Sequence, residues 1–184
     1  MQIDIKKKKI NKTLIMLTIG SLLLAGCGKK ESKEEGVIFN NDFEATLGWI
    51  ENVNGVVRGE AHSGNFLCKT DTLGPYGNTF TLELNKISDK PLKKVSASVW
   101  MLKSTDAAEG VLVIEISNKD KKSLAYISSL TKGVANSTHE WTNIEAFSDL
   151  TKKDLNNPSN KITVVFINTS KDRIDIDDVK IKFE

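Results

Sequence analysis

The chain is poor in cysteine, proline and histidine, with two, three and two of them in 184 residues. Little proline beside 39% hydrophobic residues excludes a collagen-like or wholly disordered polypeptide. Only 7% of residues are aromatic, so few rings are available to stack on a ligand. There is no Gly-x-Ser-x-Gly elbow, phosphate loop, His-Glu-x-x-His or Cys-x-x-Cys, and the chemistries those motifs carry have no support. His62 and His139 lack a partner pattern, and pairs such as Asp172 and Asp175 are the scatter expected at 27% charged residues. An excess of either charge is missing too. The formal net charge is +2, but residues 1–26 hold five lysines and one acid, so from Cys27 onward 21 basic residues face 23 acidic ones, net −2. That balance excludes a nucleic-acid binder working through a dense basic face. These absences argue against an enzyme.

What is present begins with an address. Lys6, Lys7, Lys8, Lys9 and Lys12 precede Thr13–Ala25, an uncharged run of 13 residues. Roughly 20 apolar residues are needed to span a bilayer, whereas a charged start and a shorter apolar core make a secretory signal. The run ends in Leu24-Ala25-Gly26-Cys27, which resembles the bacterial lipobox. The resemblance implies cleavage before Cys27, a diacylglyceryl thioether on its sulfur and an acylated amino terminus; several acyl chains anchor firmly where one does not. The alternative is an uncleaved anchor with an incidental cysteine. If Cys27 is lipidated, Cys68 is expected to be a buried structural thiol; otherwise a Cys27–Cys68 disulfide stays open. Gly28–Gly36 is charged and has no hydrophobic residue, as in a flexible tether. Within it, Lys33-Glu34-Glu35 resembles the signal that sends some Bacteroidetes lipoproteins to the outer face of the outer membrane. The expected organisation is a signal over 1–26, a lipidated tether over 27–36 and one domain over 37–184, in a bacterial cell envelope, with other surface lipoproteins as partners.

Short strand-like runs separated by turn chemistry predict an all-β domain. Candidate strands are Trp49–Val53 and Val56–Arg58 around Asn54-Gly55, the run Asn65–Lys69, Phe80–Leu84, Val95–Leu102, Val111–Ser117, Ser123–Leu130, Trp141–Phe147, Lys161–Asn168 and Arg173–Glu184. Lys161–Asn168, apolar on both faces, reads as a central strand. One short helix is expected near Thr151–Asp154, with Thr151 as cap. In the last strand the apolar face sits on even numbers at Ile174 and Ile176 but on odd numbers at Val179, Ile181 and Phe183. A strand has period two, so a β-bulge at Asp177-Asp178 is predicted, re-aiming a carboxylate.

Four segments carry a second resemblance: Asn41-Asp42-Phe43-Glu44 followed by Trp49, Ala61-His62-Ser63-Gly64, Val95–Trp100, and Asp177-Asp178-Val179. Together they resemble carbohydrate-binding modules of the galactose-binding-like superfamily. The resemblance implies a two-sheet antiparallel jelly roll with adjacent termini, a non-catalytic carbohydrate-binding role and a structural Ca2+ ion. Glu44 and Asp177 would supply carboxylates to that ion, with Asp178 as alternate, and Asp42 and Asn65 would supply main-chain oxygens. Calcium takes six to eight hard oxygens, which suits such a set. For the sugar, Trp100 shares a strand face with Ser96 and Ser98 and is placed to floor a groove, while Tyr76 stands on an expected loop tip. Trp49 and Trp141 are expected in the core. The rival reading is a structural or adhesion lipoprotein using the same fold as a protein-interaction scaffold.

Overall fold

The computed structural model describes residues 36–45, 55–131 and 138–184. The signal, Cys27, the tether up to Glu35 and the expected strand at Trp49–Val53, Trp49 included, lie outside the described residues.

Ten strands are described: β1 (Val37–Asn41), β2 (Val56–Arg58), β3 (Phe66–Thr70), β4 (Phe80–Glu83), β5 (Lys94–Lys103), β6 (Gly110–Ser117), β7 (Ser123–Leu130), β8 (Thr142–Asp149), β9 (Lys161–Asn168) and β10 (Ile174–Phe183). All pairings are antiparallel. One sheet runs β2-β3-β10-β5-β8, with β1 also on β10; the other runs β4-β9-β6-β7. The fold is the expected all-β, two-sheet jelly-roll sandwich. Val37 pairs with Phe183, so the domain's two ends are adjacent.

The period-two pattern drives this layering. On β5, Val95, Ala97, Val99 and Met101 are buried while Ser96, Ser98 and Trp100 face outward, half-buried. On β9, Ile162, Val164 and Phe166 point into the core and Thr163, Val165 and Ile167 point away, and β9 is central, between β4 and β6. Leu112, Ile114, Ile116, Ile144, Ile174, Ile176, Ile181 and Phe183 complete the shared core, at 2% exposure or less. Phe39 on β1 joins it by packing on Phe80 and Phe183, with ring centroids 5.0 and 6.0 Å away.

Two local expectations are corrected. Thr151–Asn160 forms turns rather than a helix. A single turn closes when Leu155 and Asn156 donate to the Lys152 carbonyl, and the acceptor at its start is Asp149, whose Oδ1 takes the Thr151 N–H at 2.7 Å. Leu155 docks in the core, but it is a lone anchor, and Asn156-Asn157-Pro158 ends the turn before it can propagate. Phe80–Leu84 ends as a strand at Glu83, and Leu84–Lys86 is a 3-10 turn with Leu84 buried. Cys68 is fully buried, and burial pushes its thiol up to about 11, so it has little thiolate to react.

Candidate functional site

β10 changes neighbours partway along. Its first residues, Ile174–Ile176, pair with β3, and its last, Val179–Phe183, pair with β1 on that same edge, while β5 follows the other edge throughout. The pairing slips where the edge partner changes: Asp177 lies opposite Trp100, and Lys180 opposite Ser98. Two residues, Asp178 and Val179, therefore oppose the single Val99, which is the predicted bulge. Asp178 takes φ +47°, a conformation Asp tolerates better than most residues.

The chain ends flanking β1 and β3 meet at this bulge. After β1, the Asn41 and Asp42 side chains accept the N–H groups two residues on, Phe43 at 2.9 Å and Glu44 at 3.1 Å. These Asx turns hold Phe43 at φ +59° with its ring in the core, and they send Glu44 sideways. Glu44 Oε1 accepts from the main-chain N–H groups of Asn65 and Phe66, the latter at 2.7 Å, which holds its carboxyl below the usual range. Asp177 grips the same turn from the other end. Its Oδ2 accepts the Ser63 N–H at 3.0 Å and its Oδ1 the Asp178 N–H at 2.7 Å. Asp178 accepts from the Ser63 hydroxyl at 2.8 Å and pairs with His62 Nδ1 at 2.6 Å. Gly64 turns the loop at φ +65°, where a Cβ would stand 2.3 Å from Glu44 Oε1. Asp177 has no exposed surface; burial raises its carboxyl pKa against the main-chain N–H groups of Ser63, Asp178 and His62 that lower it.

This clasp determines what becomes of Trp100. The His62 ring stacks on the indole, with centroids 3.9 Å apart and planes 15° apart, and it meets Trp141 edge-on at 5.8 Å. Trp100 is thus a covered ring rather than an open platform, and Trp141 is half-buried beside it rather than in the core. Ser96 and Ser98 remain on the outer face of the six-stranded sheet, in a trough with Glu145, Lys180 and Lys182. Tyr76 lies on the other sheet, bridged to Ile167 of β9 and 64% exposed. The four residues singled out for sugar binding therefore occupy opposite faces.

The outer face of the four-stranded sheet has a second set of residues that the sequence reading passed over. Pairing aligns Thr81, Thr163, Glu115 and Tyr126 in one row across all four strands. The Thr81 and Thr163 hydroxyls are 3.1 Å apart, Glu115 is half-buried, and Tyr126 is 60% exposed at the β7 edge. In the neighbouring rows, Val113 pairs with Val165 and Ser128, and Val111 with Ile167 and Leu130. Val111 and Val113 face away from the sandwich core, yet they are only 7% and 2% exposed. The two valines are closed over within this face, and Tyr76 and Tyr126 stand exposed at its opposite edges. The missed signal was Tyr126 at an outward position of Ser123–Leu130, in step with Ser128 and Leu130.

The architecture is that of a jelly-roll sandwich with one polar and aromatic face. No protein-family profile matches this sequence, and no curated protein does. Among solved structures, the chain is similar to the CBM22-1 xylan-binding domain of Paenibacillus barcinonensis Xyn10C, with TM-score 0.53 and 16% identity, over 81% of this chain and 96% of that domain. It is similar to the CBM22-2 xylan-binding domain of the same protein, with TM-score 0.52 and 20% identity, over 78% and 98%. A third likeness is to the CBM22-1–GH10 modules of Clostridium thermocellum Xyn10B complexed with xylohexaose, with TM-score 0.53 and 16% identity, over 82% of this chain and 28% of that one. At such identities the likeness is one of fold.

Proposed function

We propose that this protein is a non-catalytic, membrane-tethered carbohydrate-binding protein whose saccharide lies across the outer face of the four-stranded sheet. The observation that carries the reading is the Thr81–Thr163–Glu115–Tyr126 row, which ends in a 60% exposed tyrosine. With strands about 4.8 Å apart, the row spans about 14 Å, enough for more than one sugar ring. Tyr126 offers a ring for the apolar face of a pyranose, and Glu115 and the threonine hydroxyls offer hydrogen bonds to its hydroxyl groups. Neighbours that bind xylan support the ligand class. The tether rests on Leu24-Ala25-Gly26-Cys27: Cys27 would carry the acyl chains, and Lys33-Glu34-Glu35 favours the outer membrane of a bacterial envelope. Affinity electrophoresis and titration of the full chain in detergent against xylan and a panel of neutral β-linked polysaccharides test the sugar reading. Saturable binding to at least one is expected. A flat response across the panel overturns it and favours the adhesion-scaffold alternative.

The same proposal includes a calcium ion at the clasp. The donor chemistry fits: Asp177 is a wholly buried carboxylate whose oxygens meet only N–H groups in the clasp, and Glu44 reaches the same turn. Among the described residues no three His, Cys, Asp or Glu side chains group to hold a metal by themselves. Main-chain oxygens of Asp42 and Asn65 would have to complete the set, with Asp178 as alternate. A bound ion would supply positive charge to the buried carboxylate and tie the ends of β1, β3 and β10 together. The protein is expected to melt several degrees higher with millimolar calcium than with chelator, as ligand linkage requires. Equal melting temperatures would remove the ion from the proposal.

A further inference from the structure

The outer face of the six-stranded sheet carries its own concavity, of about 230 Å3, lined by Ser96, Ala97, Ser98, Glu145, Lys180 and Lys182. Its origin is legible in the pairing. One row across the sheet reads Glu145, Ser98, Lys180, Asn40, and the next reads Phe147, Ser96, Lys182, Ile38. The middle strand, β5, contributes only serine side chains to these rows, while its neighbours contribute long ones. A floor of small residues between tall flanks makes the trough. The flanks differ in chemistry. On one edge Phe147 is 66% exposed, with the Lys94 ammonium 5.2 Å from its ring centre. On the other edge Ile38 is 48% exposed. Lys180 and Lys182 sit two residues apart on one strand face, roughly 7 Å between Cα atoms, so one carboxylate can reach both ammonium groups. Lys182 also pairs with Glu184, and Lys180 makes no ion pair among the described residues.

We propose that this trough is a second saccharide site, separate from the neutral-glycan face, and that it takes a sugar bearing a carboxylate, that is, a uronate. The carboxylate sits between Lys180 and Lys182. Glu145 and the Ser96 and Ser98 hydroxyls take ring hydroxyls, and Phe147 covers the apolar edge of the ring. Charge complementarity selects the acid through Lys180 and Lys182 themselves, side by side on β10, while Lys94 in the next row is offset by Asp149 opposite it. Glu145 works against a polyanion of high density, as it would lie against a second acidic group. The His62–Trp100 stack closes the end of the trough, which limits it to a short stretch of chain.

The test compares a methyl galacturonoside, which carries a single carboxylate, with its methyl ester on the full chain in detergent, at low ionic strength and again at high salt. The acid is expected to bind at least about tenfold more tightly at low salt, with the difference shrinking as salt screens it. Lys180→Gln combined with Lys182→Gln should abolish that preference. Ser98→Phe, which fills the floor and leaves both lysines, should abolish binding of the acid. Tyr126→Ala should leave it unchanged. Equal binding of acid and ester overturns the proposal. So does retention of the preference in both trough variants, its loss in Tyr126→Ala, or full competition by inorganic phosphate, which would mean a general anion patch. Binding of neutral polysaccharide is read separately, so failure here and failure of the neutral-glycan reading are distinguishable.

Discussion

Asp177→Ala is expected to cost about 3 kcal/mol of folding stability, because it strips two partly buried N–H groups of their acceptor and empties a fully buried side-chain position. Ser63 N–H and Asp178 N–H both point at this carboxylate, and no water reaches a side chain with no exposed surface. In a domain of this size that loss lowers the melting temperature by roughly 6–12 °C. Asp177→Asn keeps one oxygen acceptor but sets an amide N–H against the other donor, so about half the loss is expected. Asp178→Ala removes contacts that are partly solvated, with 27% of the side chain exposed, and should cost under about 1 kcal/mol. Thermal unfolding followed by circular dichroism reads all three. A Asp177→Ala protein melting within a degree of the parent would show that the clasp does not hold the strands. The pH dependence adds a check of sign. Burial raises the Asp177 carboxyl, so the folded state holds that proton more tightly than the unfolded chain does. Its contribution therefore weakens as pH rises through the acid range. Glu44 acts oppositely: N–H bonds from Asn65 and Phe66 lower its carboxyl, and its contribution is lost as pH falls through the folded-state value. Asp177→Asn should remove the first trend and leave the second.

The clasp was partly legible in the sequence because a bulge leaves a mark on a strand. The apolar face of β10 changes parity between Ile176 and Val179, and the backbone slips there. That Glu44 and the Ser63–Phe66 turn meet the bulge came only through the family likeness, since nothing local in either segment points to a partner more than 100 residues away. The strands were legible for a plainer reason: alternation on β5 and the doubly apolar β9 reflect burial against one sheet or between two strands. The helix near Thr151 failed because a cap-like residue sets a start, while the single core anchor Leu155 is followed at once by Asn156-Asn157-Pro158. Trp100 was legible as an outward residue, but its cover was not. His62 reaches it only because Asp178, itself displaced by the bulge, holds the imidazole. The four-stranded face was the least legible. Val111 and Val113 look like core residues in any pattern of burial, and only the paired strands reveal that they face outward beneath taller neighbours.

Tyr126→Ala is expected to weaken binding of a neutral polysaccharide about thirtyfold, near 2 kcal/mol, the scale of an aromatic hot spot. The residue stands opposite Glu115 at the edge of the sheet, where a stacked ring and a hydrogen-bonding carboxylate act on the same sugar. With 60% of Tyr126 exposed, the substitution leaves core packing untouched, and the melting temperature should move by no more than about a degree. Tyr126→Phe keeps the ring and should retain most of the affinity. Tyr76→Ala, two rows away across the sheet, should cost less on short oligosaccharides than on long ones, because only a longer chain reaches both edges. Trp100→Ala separates the two faces of the sandwich. The indole is already covered by His62, so its loss should lower stability through the broken stack and leave neutral-glycan affinity near the parent value. If titration instead gives Tyr126→Ala the parent affinity and Trp100→Ala none, the neutral sugar lies on the six-stranded sheet, and the tyrosine row is only an exposed edge.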